Sequence, residues 1–333
     1  EQCHALTAEA VLARIEHGLE LHFLQHLAAH GGAAEGDGSV GVQIAGCDLG
    51  GREQNSLRAR GSHALGNGTR HRLLCRTGHH GRLRGAEGKD PAGRLIMEPR
   101  KAYFHLPGLF EFYELYRVFL PLYRTHRDWF YDWCEIGSLY GAPADCLWGG
   151  GRTGCSRHTA REVLALAQEY GISARLTFSN SLLREEHLAD WKCNALCALF
   201  EKENRVQNGV IVHSDLLLDY LKRQYPGLYF VSSTTKVLTD FQQLRRETER
   251  EEFRYVVPDF RLNKEFEQLN NLPQPQKDKV EFLCNECCWF GCKDRKRCYE
   301  NVSRKNLGET CPDHRCAAPG AQEGYRFSKA MDN

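Results

Sequence analysis

Residues 209–236, GVIVHSDLLLDYLKRQYPGLYFVSSTTK, decide the fold class of this chain of 333 residues. The run at 209–215 is continuously apolar before its polar end, as in a strand that is buried on both faces. Residues 216–227 have the apolar spacing of a helix and close with Pro-Gly, and residues 228–236 repeat the first pattern. Two strands joined through one helix form a βαβ unit, so we predict that they are parallel.

The same alternation extends in both directions along the chain. Strands are predicted at 145–151, 174–181, 209–215, 228–236, 253–260 and 279–287, with helices at 156–171, 184–203, 216–227, 240–252 and 263–272. About six βα units predict an α/β fold with a parallel sheet, arranged either as a doubly wound sheet or as a TIM-like (β/α) barrel. Because no seventh or eighth strand is visible before Asn333, we expect a barrel to be incomplete.

The composition divides the chain into four parts. Residues 1–96 are rich in Gly, Ala, Arg and His, with one plausible amphipathic helix at Thr7–His30, and the first Met is Met97. We interpret 1–96 either as a disordered leader or as a segment that is not native coding sequence. We predict an aromatic-rich helical segment that packs on the barrel at 97–143, the partial barrel with its cysteines at 144–316, and a disordered tail at 317–333.

Charge and cysteine usage limit the cellular setting. The net charge of +1 gives no strong nucleic-acid signal, and the sequence has neither an apolar run long enough for a membrane span nor a signal peptide. Seven of the fifteen cysteines fall between Cys284 and Cys316, and several others lie in apolar patterns. This distribution favours a reducing, cytoplasmic setting and a metal or redox site over a disulfide scaffold.

Polar side chains follow the predicted strands, where parallel α/β folds place their chemistry. The candidate catalytic residues are Asn180, His213, Asp215, Lys236 and Asp259. Helix N-capping is the alternative explanation for such residues.

Capping accounts for some of these positions better than for others. We predict that Ser181, Asp215 and Asp240 cap the helices that follow them. The run SSTTK at 232–236 offers more polar groups than one cap needs.

The segment Gly149–Gly154, GGGRTG, fits the glycine pattern of a dinucleotide-binding loop between a strand and a helix. The candidate cofactor-binding residues are Gly149, Gly151, Arg152 and Gly154. The acid expected at the end of the second strand is missing, which favours a tight turn, or an anion site that uses Arg152, over NAD binding.

Cysteines are densest in CNECCWFGCKDRKRC at 284–298 and CPDHRC at 311–316. Thiolates this close repel one another and oxidise readily unless a metal holds them, and soft sulfur ligands select zinc or an iron–sulfur cluster. The candidate metal ligands are Cys287, Cys288, Cys292, Cys298, Cys311 and Cys316. Incidental buried thiols are the alternative, and Cys284 fits that description because it lies within the strand alternation.

Strands that end in TFSN (177–180), SD (214–215) and SSTTK, followed by a strand that runs into clustered cysteines, resemble the peptidase U32 group and its bacterial relatives. The resemblance covers roughly residues 100–316 and implies a TIM-type barrel that is truncated here at its C-terminus. It also implies a [4Fe–4S] cluster, with Cys288, Cys292 and Cys298 as the best matches and Cys311 or Cys316 as the fourth ligand. Family members are linked to collagenase-like proteolysis or to oxygen-independent hydroxylation of RNA or quinone precursors.

Three functions remain open on the sequence. The first is a U32-like barrel protein that holds an iron–sulfur cluster, with peptidase-like or hydroxylation-type activity on a peptide, RNA or small-molecule substrate. The second is a zinc-stabilised, non-catalytic binding or structural protein. The third is a nucleotide-binding oxidoreductase, which depends on GGGRTG alone.

Overall fold

A computed structural model describes residues 40–43, 88–89, 95–96, 101–150, 157–202, 205–284, 286 and 288–312. Its strands are β1 (Val40–Gln43), β2 (Gly88–Lys89), β3 (Leu95–Ile96), β4 (Ala102–Pro107), β5 (Cys134–Gly141), β6 (Ser173–Phe178), β7 (Gly209–Val212), β8 (Tyr229–Ser232), β9 (Phe253–Val256) and β10 (Glu281–Leu283). Its helices are α1 (Tyr113–Thr125), α2 (Ala160–Glu169), α3 (Trp191–Lys202), α4 (Asp215–Gln224), α5 (Phe241–Glu249), α6 (Phe266–Asn270), α7 (Gln274–Lys277) and α8 (Arg295–Asn306). None of these described helices is long and apolar enough to cross a membrane.

The sheet of the first compact unit, residues 1–47 with 100–333, is parallel throughout its described strands. Its strand order is β10-β1-β4-β5-β6-β7-β8-β9. A parallel bridge between Val256 of β9 and Val280, the residue before β10, connects the last strand of this order to the first through a single residue pair. This parallel sheet confirms the predicted fold class, a TIM-like α/β barrel. The second unit, residues 48–99, contains the antiparallel pair β2 and β3.

The first strands of the barrel differ from the prediction. The segment 97–143 is not mainly helical, because it supplies β4 and β5 on either side of α1. Neither AYFHLP of β4 nor CEIGSLYG of β5 alternates regularly between apolar and polar residues, so the pattern does not separate a strand from a buried helix. Residues 40–43, within the predicted leader, form β1, and the predicted helix at Thr7–His30 lies outside the described residues.

The strand predicted at 145–151 is wrong over the residues that the structure describes. Residues 145–150 form turns in the loop between β5 and α2, in which the Cys146 amide bonds to the Pro143 carbonyl and the Gly149 amide to the Cys146 carbonyl. Trp148 in this loop is fully buried and meets the Phe178 ring edge-on at 5.2 Å between centroids. An apolar run that is buried by loop packing looks like a strand in sequence.

The helix caps agree with the prediction at one of three positions. Asp240 caps α5 by accepting a hydrogen bond from the Gln243 amide. The cap of α4 is Ser214, and Asp215 is the first helical residue. Ser181 is not a cap, since the helical turn that follows it begins after Arg184. Its hydroxyl lies instead 3.2 Å from that of Ser303 in α8.

The apolar core has an outer and an inner part. The outer part fills the space between strands and helices and includes Leu176, Val212 and Leu218. The inner part comprises alternate residues of the same strands, which face the barrel interior. It is formed by Ile211, Tyr229, Val231, Val257, Phe260 and Leu283.

A polar cluster occupies the barrel interior nearer the amino ends of the strands. The Arg175 guanidinium on β6 donates to both Glu281 carboxylate oxygens on β10, at 2.7 and 2.9 Å, and its Nε donates to the Tyr229 hydroxyl at 2.7 Å. His105 Nε2 lies 3.2 Å from the same carboxylate, and His105 Nδ1 bonds to the Ser138 hydroxyl at 2.9 Å. Burial raises the pKa of Glu281 and, together with the Arg175 charge, lowers that of His105.

Candidate functional site

Four side chains form a hydrogen-bonded network at the carboxyl ends of β6, β7 and β8. The Ser233 hydroxyl donates to that of Ser179 at 2.9 Å, and the Thr235 hydroxyl donates to that of Ser233 at 3.0 Å. His213 Nδ1 lies 2.8 Å from the Thr235 hydroxyl. The three hydroxyl residues are buried and His213 is half-buried, so the imidazole is the outermost member of the network.

His213 is held in its neutral form. Burial is the main cause that lowers its pKa from 6.5 to about 4, and the nearby charges of Lys236 and Lys296 lower it further. A neutral imidazole can accept a proton or bind a metal, so His213 is the group of this network that is best suited to base or ligand chemistry.

Four of the five predicted catalytic residues have other partners. Asn180 is fully buried, donates to the Leu147 and Ser303 carbonyls, and accepts from the Leu182 amide. Its amide therefore joins β6, the β5–α2 loop and α8.

Lys236 and Asp215 point away from the network. The Lys236 ammonium bonds to Glu247 at 2.5 Å and lies 4.8 Å from the Phe253 ring centroid, on the α5 side of the sheet. The exposed Asp215 carboxylate accepts from Arg250 at 2.8 Å. Neither side chain contacts His213 through a described hydrogen bond.

Asp259 is buried in a second polar cluster at the end of β9. One carboxylate oxygen accepts from the Arg261 amide and guanidinium at 3.1 and 3.0 Å, and the other lies 3.5 Å from Arg295 Nε. Arg295 is 1 % exposed, and its Nη2 contacts Glu286 at 2.6 Å and the Tyr299 hydroxyl at 2.9 Å. This cluster attaches α8 to the ends of β9 and β10.

The same cluster fixes the segment that carries the predicted metal ligands. Arg261 donates through Nε to the Phe290 carbonyl at 2.9 Å and through Nη2 to the Cys292 carbonyl. The Cys288 amide donates to Glu286 at 3.0 Å, and the Cys288 side chain packs against the inner apolar part of the core.

The predicted ligands are placed only in part. Cys288, Cys292 and Cys298 are half-buried, whereas Cys311 is exposed. Cys287 and Cys316 lie outside the described residues. Among the residues that are described, no three His, Cys, Asp or Glu side chains converge on a metal position, so four of the six candidates alone do not form a ligand set.

Cys284 differs from these candidates. Burial raises the pKa of its thiol to about 11, which agrees with the predicted structural thiol.

In a dinucleotide site, a strand leads directly into the glycine loop. The residues just before Gly149 form turns and no strand, so the glycine segment does not fit such a site. Gly149 accepts from Asn306 Nδ2 at 2.5 Å, and a Cβ at Gly150 would lie 2.1 Å from the Ser179 carbonyl oxygen. Close backbone packing therefore explains these two glycines. Gly151, Arg152 and Gly154 lie outside the described residues.

Sequence reasoning missed Arg295 and α8. The buried face of this helix is formed by Arg295, Tyr299 and Ser303, spaced four residues apart. Because Arg295 and Ser303 are polar, this face lacks the hydrophobic period from which a helix is predicted. The run SSTTK did indicate the hydroxyl network. It contains more hydroxyls than helix capping requires, and the contacts of Ser233 and Thr235 within the network account for the additional ones.

No protein-family description matches this chain, and no curated protein is similar to it. A solved structure, that of the U32 peptidase Mk0906, is similar over 59% of this chain and 83% of that chain, with 15% identity and a TM-score of 0.42. The likeness is distant, concerns the fold alone, and carries no conclusion about the reaction.

Proposed function

We propose that this chain is a U32-like barrel protein that binds a metal through the cysteines at 287–316, with an iron–sulfur cluster as the preferred occupant. The observation that supports the proposal is the attachment of this segment to the barrel. Arg261 and Arg295 hold Glu286, Phe290 and Cys292 at the carboxyl ends of β9 and β10, the face at which barrel enzymes carry their chemistry.

The donor chemistry supports a soft metal. Cys288 and Cys292 are the described thiols nearest the anchored backbone, and Cys287, Cys298, Cys311 and Cys316 are the further candidates. Thiolates select zinc or iron–sulfur clusters. Lys293, Lys296 and Arg297 follow in the sequence and offset the negative charge that several thiolates would bring.

The reaction is proposed from the U32 resemblance. A bound cluster would supply electron transfer or substrate binding at the barrel face. His213, which is neutral at physiological pH, would serve there as an uncharged hydrogen-bonding group toward a peptide, RNA or small-molecule substrate. The hydroxyls of Thr235 and Ser233 would fix its ring orientation.

Metal analysis of the full chain tests the proposal. Protein purified without oxygen is expected to contain iron and acid-labile sulfide in fixed proportion and to absorb in the visible range. The double variant Cys288→Ser/Cys292→Ser should lose this metal. The control Cys134→Ser, at the amino end of β5 and so at the opposite end of the barrel, should retain it.

The possible results separate the open functions. Stoichiometric zinc without iron would replace the cluster by a zinc site that stabilises the segment. Wild-type protein without iron or zinc, or a double variant that keeps its metal, would overturn the proposal.

A further inference from the structure

Two buried thiols meet away from the cysteine segment. The Sγ atoms of Cys146, in the β5–α2 loop, and Cys193, in the first turn of α3, are 3.2 Å apart, although the residues are 47 positions apart in sequence. Cys146 is 1 % exposed and Cys193 is fully buried. A disulfide bond has an S–S length of about 2.0 Å, so a displacement of little more than 1 Å would bring these atoms to bonding distance.

Burial and a fixed helix start define the surroundings of Cys193. Proximity to Cys146 and burial raise the pKa of Cys193, and burial raises that of Cys197, one turn further along α3. Asp190 accepts a hydrogen bond from the Cys193 amide at 2.7 Å and so fixes the start of the helix. The two thiols are therefore already positioned as a pair.

We propose that Cys146 and Cys193 are a redox modification site at which a hydroperoxide forms a reversible disulfide. One thiol attacks the peroxide oxygen to give a sulfenic acid and water. The second thiol then displaces a second water as the S–S bond forms. In sum, two thiols and one hydrogen peroxide give one disulfide and two waters, with the two sulfur atoms oxidised and the peroxide reduced.

The cross-link would act on the loop that supports the end of β6. The Trp148 carbonyl accepts from the Asn180 amide at 3.0 Å, and the Leu147 carbonyl accepts from the Asn180 side chain at 3.0 Å. Trp148 Nε1 also donates to the His187 carbonyl before α3 at 2.8 Å. A covalent bond between Cys146 and Cys193 would fix this loop against α3. The inference does not depend on metal binding, since neither thiol belongs to the segment 284–316.

Peptide mapping of the full wild-type chain tests the inference. Reduced protein is treated with hydrogen peroxide in steps, blocked with iodoacetamide, digested and analysed by mass spectrometry. We expect one cross-linked pair of peptides, containing Cys146 and Cys193, that dithiothreitol releases. Its formation should be slower than oxidation of the exposed Cys311 by the same peroxide, because the oxidant must reach buried thiols. Free or irreversibly oxidised Cys146 and Cys193, or a bond to Cys197 instead, would overturn the inference.

Variants add a second measurement. Cys146→Ser and Cys193→Ser should each lose the cross-link, whereas the matched control Cys197→Ser should keep it. Oxidation should raise the melting temperature of the wild type by roughly 5 °C or more and leave that of Cys146→Ser unchanged. Should either serine variant not fold, the wild-type map alone decides.

Discussion

Arg175 and Glu281 form an ion pair inside the barrel, with the single nitrogen Nη1 2.7 and 2.9 Å from the two carboxylate oxygens. The pair joins β6 to β10, 106 residues apart in sequence, and both side chains are at most 1 % exposed. The inner apolar residues Ile211, Val231 and Leu283 lie between it and the carboxyl ends of the strands. These contacts assign the pair to the barrel interior and not to the candidate site.

Replacing one partner of this pair should destabilise the barrel strongly. Arg175→Met leaves the Glu281 carboxylate buried without its counter-charge, which costs about 3–5 kcal/mol of unfolding free energy. Urea denaturation measures the change. The double variant Arg175→Met/Glu281→Leu should recover much of the loss, because it removes both buried charges.

An exposed ion pair provides the control for this measurement. Arg245 and Glu249 on α5 are both about half exposed, and Arg245→Met should change the unfolding free energy by less than about 0.5 kcal/mol. An Arg175→Met effect as small as this would contradict the assigned role of the buried pair.

Mild acid should destabilise the fold through His213. Its pKa is about 4 in the folded chain and 6.5 ordinarily, so the unfolded chain binds more protons between these values. The stabilising contribution is therefore complete above pH 6.5 and is lost as the pH falls toward 4, by at most about 3 kcal/mol. His105, whose pKa is also lowered, acts in the same direction.

Urea midpoints of the wild type and of His213→Asn across this pH range measure the effect. The variant should show a shallower loss of stability below pH 6.5, and the remaining slope should include the His105 contribution. Parallel curves for the two proteins would refute the assignment of a buried, neutral His213.

Asn180 should behave as a structural residue. Asn180→Ala leaves the Leu147 and Ser303 carbonyls and the Leu182 amide without this partner, at a cost of roughly 2–4 kcal/mol. Thermal unfolding checks the change, and Asn271→Ala, at an exposed position after α6, is the matched control. Unaltered stability of Asn180→Ala would reopen Asn180 as a catalytic candidate.

Arg295 should hold α8 and the cysteine segment in place. Arg295→Met removes the partner of Glu286 and one partner of Asp259, so amide hydrogen exchange should increase across residues 288–306. Arg297→Met, at an exposed position two residues further along α8, should leave exchange unchanged. Equal exchange in the two variants would show that other contacts hold the helix.

The strands that the sequence predicted correctly are those in which polar residues end an apolar run. The strands β6 to β9 lie within their predicted ranges or one residue outside them, because Ser179, His213 and Ser233 mark where each run stops. The prediction failed at β4 and β5, since neither segment alternates regularly between apolar and polar residues.

The candidate site was predicted by position more than by contact. His213 lies in the network as expected at a strand end, whereas Lys236 follows a strand and yet turns outward to Glu247. The direction of a side chain just after a strand depends on the local backbone conformation, which cannot be deduced from composition. The pairing of Cys146 with Cys193 depends in the same way on loop packing.

The position of β1 has a consequence for any shortened chain. Its four residues pair with β10 on one side and with β4 on the other. A chain that starts at Met97 would expose the backbone amides and carbonyls of both neighbours, and such open edges recruit strands from other molecules. Self-association of that shorter product, set against its absence in the full chain, would reveal what residues 40–43 contribute.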